Sequence, residues 1–183
     1  MQQPILLIRG RKSDFITANL VDLAQKHVED FELLWREQLQ TFTQSDKYWD
    51  WWFKKRISIS RDNYESYAIE CEEKTQGLMT IETQWHRSQV SPEQRIVYVF
   101  ALAAAPWNRI TIQQPPEFKG VGTALLLFAR QRSVELGYSG RVGLHALPGA
   151  ESFYENRGML NYGADEEKEN LTYFEYPSLQ RRV

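Results

Sequence analysis

The chain has one cysteine, Cys71, so an intrachain disulfide and a cysteine-based metal cluster are both excluded. Histidine is nearly as scarce. His27, His86 and His145 stand too far apart to form a local zinc motif of the H-E-x-x-H kind, and no metal is expected. Positive charge is not in excess: 22 Lys and Arg stand against 24 Asp and Glu, for a formal net charge of −2 and a pI of about 6.0. The basic groups Arg11-Lys12, Lys54-Lys55-Arg56 and Arg181-Arg182 are dispersed and read as solvated surface, so nucleic acid is not an expected partner. No apolar run approaches the ~18 residues of a membrane span. The opening "MQQPILLIRGRKSD" has a short apolar run followed by charge and does not read as a secretory signal. Internal repeats and low-complexity tracts are missing too. The setting these absences predict is soluble, reducing and cytoplasmic, without a membrane partner.

A hydrophobic content of 42% over 183 residues suits one domain, residues 1–183, with a sizeable core. "PILLIRG" (4–10) reads as a strand with Pro4 at its edge. From Ser13 or Asp14 as cap, Phe15, Leu20, Leu23, Phe31, Leu34 and Trp35 recur at helical spacing, predicting one or two helices over 14–42. Another helix is expected at 46–56. Strands at 64–73 and 77–86 form a hairpin across "KTQ", with Gly77 supplying turn freedom. "RIVYVFALAAA" (95–105) is apolar enough for a strand covered on both faces, and Pro106 ends it. A helix runs from Thr123 to Leu136 and stops at Gly137. A strand at 140–147, a short helix after Pro148 and a last strand at 171–176 complete the chain; Asp165–Glu169 reads as a solvated turn. The fold class is α/β. A mixed, mostly antiparallel central sheet holds one parallel pair, joined by a right-handed crossover, with helices on both faces.

One stretch carries chemistry. In "EFKGVGTALLLFARQ" (117–131) a Gly-x-Gly turn runs into a helix. Such glycines let backbone approach a bulky ligand, and the unpaired amides at a helix start favour a diphosphate. Thr123 adds a hydroxyl and Lys119 a charge. G-x-x-x-x-G-K-[ST] is absent, which excludes a nucleotide-hydrolysing P-loop. Leu125 breaks the G-x-G-x-x-G of a dinucleotide site. Taken alone, the turn is equally well a structural one.

Its neighbours sharpen the reading. "LAAAP" (102–106) precedes it and "AESFYENRGM" (150–159) follows a strand end. Together they resemble the GNAT superfamily of acyl-CoA N-acyltransferases. The family's [QR]-x-x-G-x-[GA] loop is presented as "EFKGVG" (117–122), its L-x-V-x-P loosely as Leu102 to Pro106, and its A-x-x-F-Y-x-x-x-G-[FM] by Ala150, Phe153, Tyr154, Gly158 and Met159. The resemblance spans about 66–176, the recognisable core, with residues 1–60 on the acceptor side. It departs in three places. Glu117 replaces Arg or Gln, the connection from Pro106 to the loop is longer, and Leu147 replaces an asparagine.

The resemblance implies an acetyltransferase that moves an acetyl group from acetyl-CoA, its co-substrate, directly to a primary amine of a small molecule or peptide. Leu102, Ala103, Ala104, Lys119, Gly120, Val121, Gly122 and Thr123 would bind the cofactor, with a backbone N–H near Leu102–Ala104 as oxyanion donor. Tyr154 would return a proton to the thiolate, its ~10 pKa lying above the ~8.5 of an ordinary thiol. Glu82 is the candidate general base, on a strand face shared with Thr80 and Gln84; His145 and water are the alternatives. Trp49, Trp51, Trp52, Trp85 and Trp107 are candidates for the acceptor wall, or for core packing. Asn108 and Arg109 either shape the acceptor mouth or order their loop. Cys71 is not expected to act as a nucleophile. A sheet edge could support a homodimer. The alternative is a non-catalytic module of the same fold that binds CoA or a partner protein, and Glu117 and Leu147 favour it.

Overall fold

Alternation, not helical spacing, governs the first hairpin. The computed structural model describes residues 1–12 and 14–179; Ser13, one of the two caps expected, and the Arg181-Arg182 pair lie outside the described residues. Strand β1 (Gln2–Arg9) pairs antiparallel with β2 (Phe15–Asp22), from Gln2–Val21 to Ile8–Phe15. The helical spacing predicts a helix over β2. Instead Ala18 and Leu20 turn inward while Phe15 and Thr17 face out, a period of two. Ile16, Thr17 and Val21 are β-branched, which favours the pleated backbone. Pro4 lies where β1 has no outer partner, because β6 (Phe118–Lys119) pairs only with Ile8 and Arg9.

Helix begins only at Gln25. Segments α1 (Gln25–Asp30) and α2 (Arg36–Thr41) are joined through a π-helical stretch, Phe31–Trp35, and α3 follows at Trp51–Ser60. Asp50 caps α3, accepting from the Phe53 amide at 2.7 Å.

Strands β3 (Tyr64–Cys71) and β4 (Lys74–Glu82) are neighbours, but the turn is not at Gly77. It is made by Glu72 and Glu73, both with positive φ (51° and 65°), as a two-residue turn of the twisted hairpin type requires. Gly77 lies inside β4. A Cβ there would stand 2.6 Å from Val121 Cγ1 and 3.1 Å from Leu125 Cδ1, so this glycine serves close helix-to-strand packing. Strand β5 (Val97–Ala104) runs parallel to β7 (Val142–Ala146), as expected. Helix α4 (Val121–Glu135) lies between them in sequence. After α5 (Glu151–Glu155), an unforeseen strand, β8 (Leu160–Asp165), pairs antiparallel with β9 (Leu171–Tyr176), which pairs antiparallel with β7. The strand order is β6-β1-β2-β3-β4-β5-β7-β9-β8. The fold is mixed α/β, its sheet mostly antiparallel with one parallel pair.

The chain divides into two compact units, one of residues 1–80 and 101–125, the other of 81–100 and 126 onward. Strands β4 and β5 and helix α4 run from one into the other. In the first, Phe31, Trp35, Leu39, Trp51, Leu78 and the small residues Ala101, Ala103 and Ala105 form one apolar cluster. Each fully buried large side chain contributes on the order of 2–3 kcal/mol. Trp51 is core, and Trp49 and Trp107 pack against it, while Trp52 and Trp85 stay exposed. In the second unit Val97, Val142, Leu144 and Phe174 are buried. Among the described residues, no helix is long and apolar enough to cross a membrane, and no group of three His, Cys, Asp or Glu side chains could hold a metal ion.

Candidate active site

In the first unit the glycine turn opens α4. Gly120 has φ +96°, a conformation that glycine adopts without strain, and Val121 begins the helix. The Ala124 amide closes the first turn on the Gly120 carbonyl at 2.8 Å. The start of an α-helix is where backbone N–H groups are open to an outside acceptor. Lys119 and Gly120 are exposed, Gly122 and Thr123 half-buried. The first turn of α4 and the end of β5 meet at one point, since Val121, Leu125 and the Ala103 carbonyl all come within 4 Å of the position a Gly77 Cβ would take.

Strand β5 is longer than its pairing with β7, whose ladder holds two pairs, Val97–Val142 and Tyr98–Gly143. The ladder ends at Tyr98, and β5 runs on to Ala104. Tyr98, Phe100, Leu102 and Ala104 share one face, and from Phe100 on it is the more open one. The Ala104 carbonyl accepts from Arg109 Nε at 2.9 Å. Arg109 also grips Asp46 with both terminal nitrogens, at 2.9 and 2.5 Å. Asn108 donates to Gln76 Oε1 and accepts from the Phe118 amide, both at 2.9 Å. Asn108 and Arg109 therefore order the long connection that leads into the glycine turn.

Glu117 lines a cleft with Arg9, Arg11, Lys12, Gln113, Pro115 and Pro116, three of them basic. Phe118 turns inward beneath the Arg9 guanidinium, 5.6 Å from the ring centre. Cys71 is buried in the same unit; burial, and then the charge of Glu72, push its thiol up, which keeps it protonated.

In the second unit, Tyr154 sits on α5, 8% exposed, with its ring against Phe153 and Phe174 at 5.1 and 5.6 Å between centroids. The Glu82 carboxylate is fully buried at the end of β4. It accepts from the amides of Gln84 (2.7 Å), Trp85 (2.9 Å) and His86 (3.0 Å), and pairs with His86 Nδ1 at 2.7 Å. The His86 ring stacks on Tyr98, centroids 4.0 Å apart and planes 6° from parallel. Tyr98 Oη lies 2.8 Å from His145 Nδ1, and His145 Nε2 lies 2.8 Å from Asp165 Oδ2. Burial lowers the His145 pKa, and the Asp165 carboxylate only partly offsets it. His145 and then Gln89, donating to Asp165, hold its carboxyl below the usual range. Beside them Ser88 and Tyr173 donate to the two Glu175 oxygens at 2.6 and 2.7 Å; burial and then Glu175 raise the Tyr173 phenol.

No family model matches the chain, and no curated protein matches it by sequence. Solved structures do. The GNAT domain of S. lividans PAT aligns over 97% of this chain and 97% of its own, with a TM-score of 0.60 and 13% identity. An acetyltransferase from Thermus thermophilus covers 88% of this chain and 97% of its own, at 0.61 and 12%. The PaiA N-acetyltransferase of Thermoplasma acidophilum, solved with coenzyme A, covers 87% and 98%, at 0.59 and 13%. This chain has the GNAT fold.

On the GNAT fold, the residues expected to hold cofactor, Leu102–Ala104 and Lys119–Thr123, fall in one compact unit. Tyr154, Glu82 and His145, expected to move protons, fall in the other. The sequence reading does not single out Tyr98, Asp165 or His86 as site residues. Asp165 falls in a stretch that reads as a solvated turn. For His86 a signal exists: "ETQWH" (82–86) spaces a carboxylate and an imidazole so that one tight turn pairs them, a spacing that a test for metal motifs does not register.

Proposed function

We propose that the chain is an acetyltransferase acting as one domain, moving the acetyl group of acetyl-CoA to a primary amine by direct transfer in a ternary complex. One observation carries the reading. The β5–β7 ladder ends at Tyr98, and β5 leads on, through the connection ordered by Arg109, into a glycine turn that opens α4. An extended strand followed by a glycine turn and a helix start fits a linear ligand with a diphosphate at one end. Bound acetyl-CoA would supply the acyl group as an activated thioester.

The chain's residues would do the rest. Amides of Gly120 to Thr123 and the Lys119 ammonium bind phosphate oxygens. A backbone N–H of Leu102–Ala104 steadies the carbonyl oxygen as negative charge develops there. Tyr154 gives its phenolic proton to the departing sulfur. Glu82 belongs to the base side. A small-molecule or peptide amine is the acceptor. Three basic residues, Arg9, Arg11 and Lys12, line the same cleft as Glu117, which supports catalysis over the non-catalytic alternative.

Calorimetry with CoA, followed by thiol release from acetyl-CoA across a panel of amines, tests the reading; a chain that fails to bind CoA is not this enzyme. Tyr154→Phe is expected to lower turnover about 100-fold or more with little change in CoA affinity. Unchanged turnover would remove Tyr154 from the mechanism.

A further inference from the structure

We propose that His86 is the general base of this transfer and that Glu82 positions it, an inference that rests on the acyltransferase reading above. Three features carry it. The first is elimination among the proton acceptors. His27 has both ring nitrogens engaged, by the Ala24 amide at 2.8 Å and by Glu70 at 2.7 Å. His145 likewise meets Tyr98 and Asp165 with its two nitrogens and is 6% exposed. Glu82 is wholly buried, and both its oxygens accept from amides of its own turn. Among the described histidines, His86 alone keeps an uncommitted nitrogen, Nε2, on a side chain 34% exposed.

The second feature is orientation. Glu82 Oε2 takes Nδ1 at 2.7 Å, and the Tyr98 ring covers one imidazole face. With Nδ1–H donating to the carboxylate, the neutral ring presents the Nε2 lone pair outward. The ring is thus fixed at one edge and one face, as a preorganised base requires. The third is place. Tyr98 is the last β5 residue paired to β7, so His86 stacks where that ladder ends, on the face that continues through Phe100.

The step balances. The acceptor nitrogen forms its bond to the thioester carbonyl carbon and its proton passes to His86 Nε2. The carbon–sulfur bond breaks, and the sulfur takes a proton from Tyr154. His86 and Tyr154 then exchange protons with solvent, leaving amide and free thiol. The Glu82 carboxylate faces the imidazolium formed in between.

Thiol release from acetyl-CoA with the best amine of a panel, together with calorimetric CoA affinity, tests this. In His86→Gln, turnover should fall about 100-fold or more at unchanged CoA affinity, and added imidazole should restore part of the rate to His86→Ala. Long-range ¹H–¹⁵N spectra should show the Nδ1–H tautomer of His86 in the native chain and its loss in Glu82→Gln. Turnover of His86→Gln within about twofold of native, or an Nε2–H tautomer in the native chain, overturns the inference and leaves the acyltransferase standing. A native chain that binds CoA yet acylates no amine overturns both.

Discussion

Gly10 shows how a single residue can be fixed by space rather than by conformation. A Cβ built on it would lie 1.6 Å from the Pro116 carbonyl oxygen, and its amide donates to the Glu117 carbonyl at 2.9 Å. Gly10→Ala therefore has to push backbone from backbone. A loss of about 3 kcal/mol or more is expected in urea unfolding, together with weaker CoA binding, since the displaced residues lead into the glycine turn. None of this is legible in sequence, where Gly10 simply follows a strand. The glycines at 120 and 122 are legible because two of them precede a helical pattern. What they cannot reveal is the setting of Glu117, which depends on Arg9, Arg11 and Lys12 arriving from a distant part of the chain.

Among the elements, those whose pattern matches a single period are readable: β5, β7, β9 and α4 stand close to where the apolar runs put them. Strand β2 is hidden because Phe15, Leu20 and Leu23 also fit a helical stripe, and only pairing with β1 settles the matter. Strand β8 is hidden because it is exposed along most of its length and carries Gly163 with φ +86°, so no buried face marks it. The β3–β4 turn is misplaced in sequence because a glycine draws attention away from two glutamates. Those glutamates hold positive φ at a cost that glycine avoids. Glu73→Gly is expected to stabilise the chain by about 0.5–1 kcal/mol, read as a higher urea midpoint with an unchanged slope. Glu72 is left intact in this variant because it pairs with Arg9.

On the scale of the whole molecule, composition indicates the size of the core but not the order of the nine strands among the described residues, which comes from pairings across the chain. It also gives no hint of how stability depends on pH. The folded pKa of His145 is below the ordinary 6.5, so the unfolded chain binds its proton more readily. Stability from this group is complete above pH ~6.5 and is lost as pH falls from there toward the folded value. Asp165, whose pKa is also lowered, adds a second loss at more acid pH, as pH falls through its own folded value. Chemical denaturation between pH 7.5 and 5 should show stability falling with pH, and His145→Gln should remove the upper part of that slope.

The two-pair ladder between β5 and β7 also affects how fast the backbone exchanges its hydrogens. The part of β5 that lies beyond this ladder belongs to the least protected part of an otherwise apolar strand. Deuterium uptake there should be fast in the free chain and slow down markedly once CoA is added. The strand would then report occupancy of the site directly, whatever the acceptor.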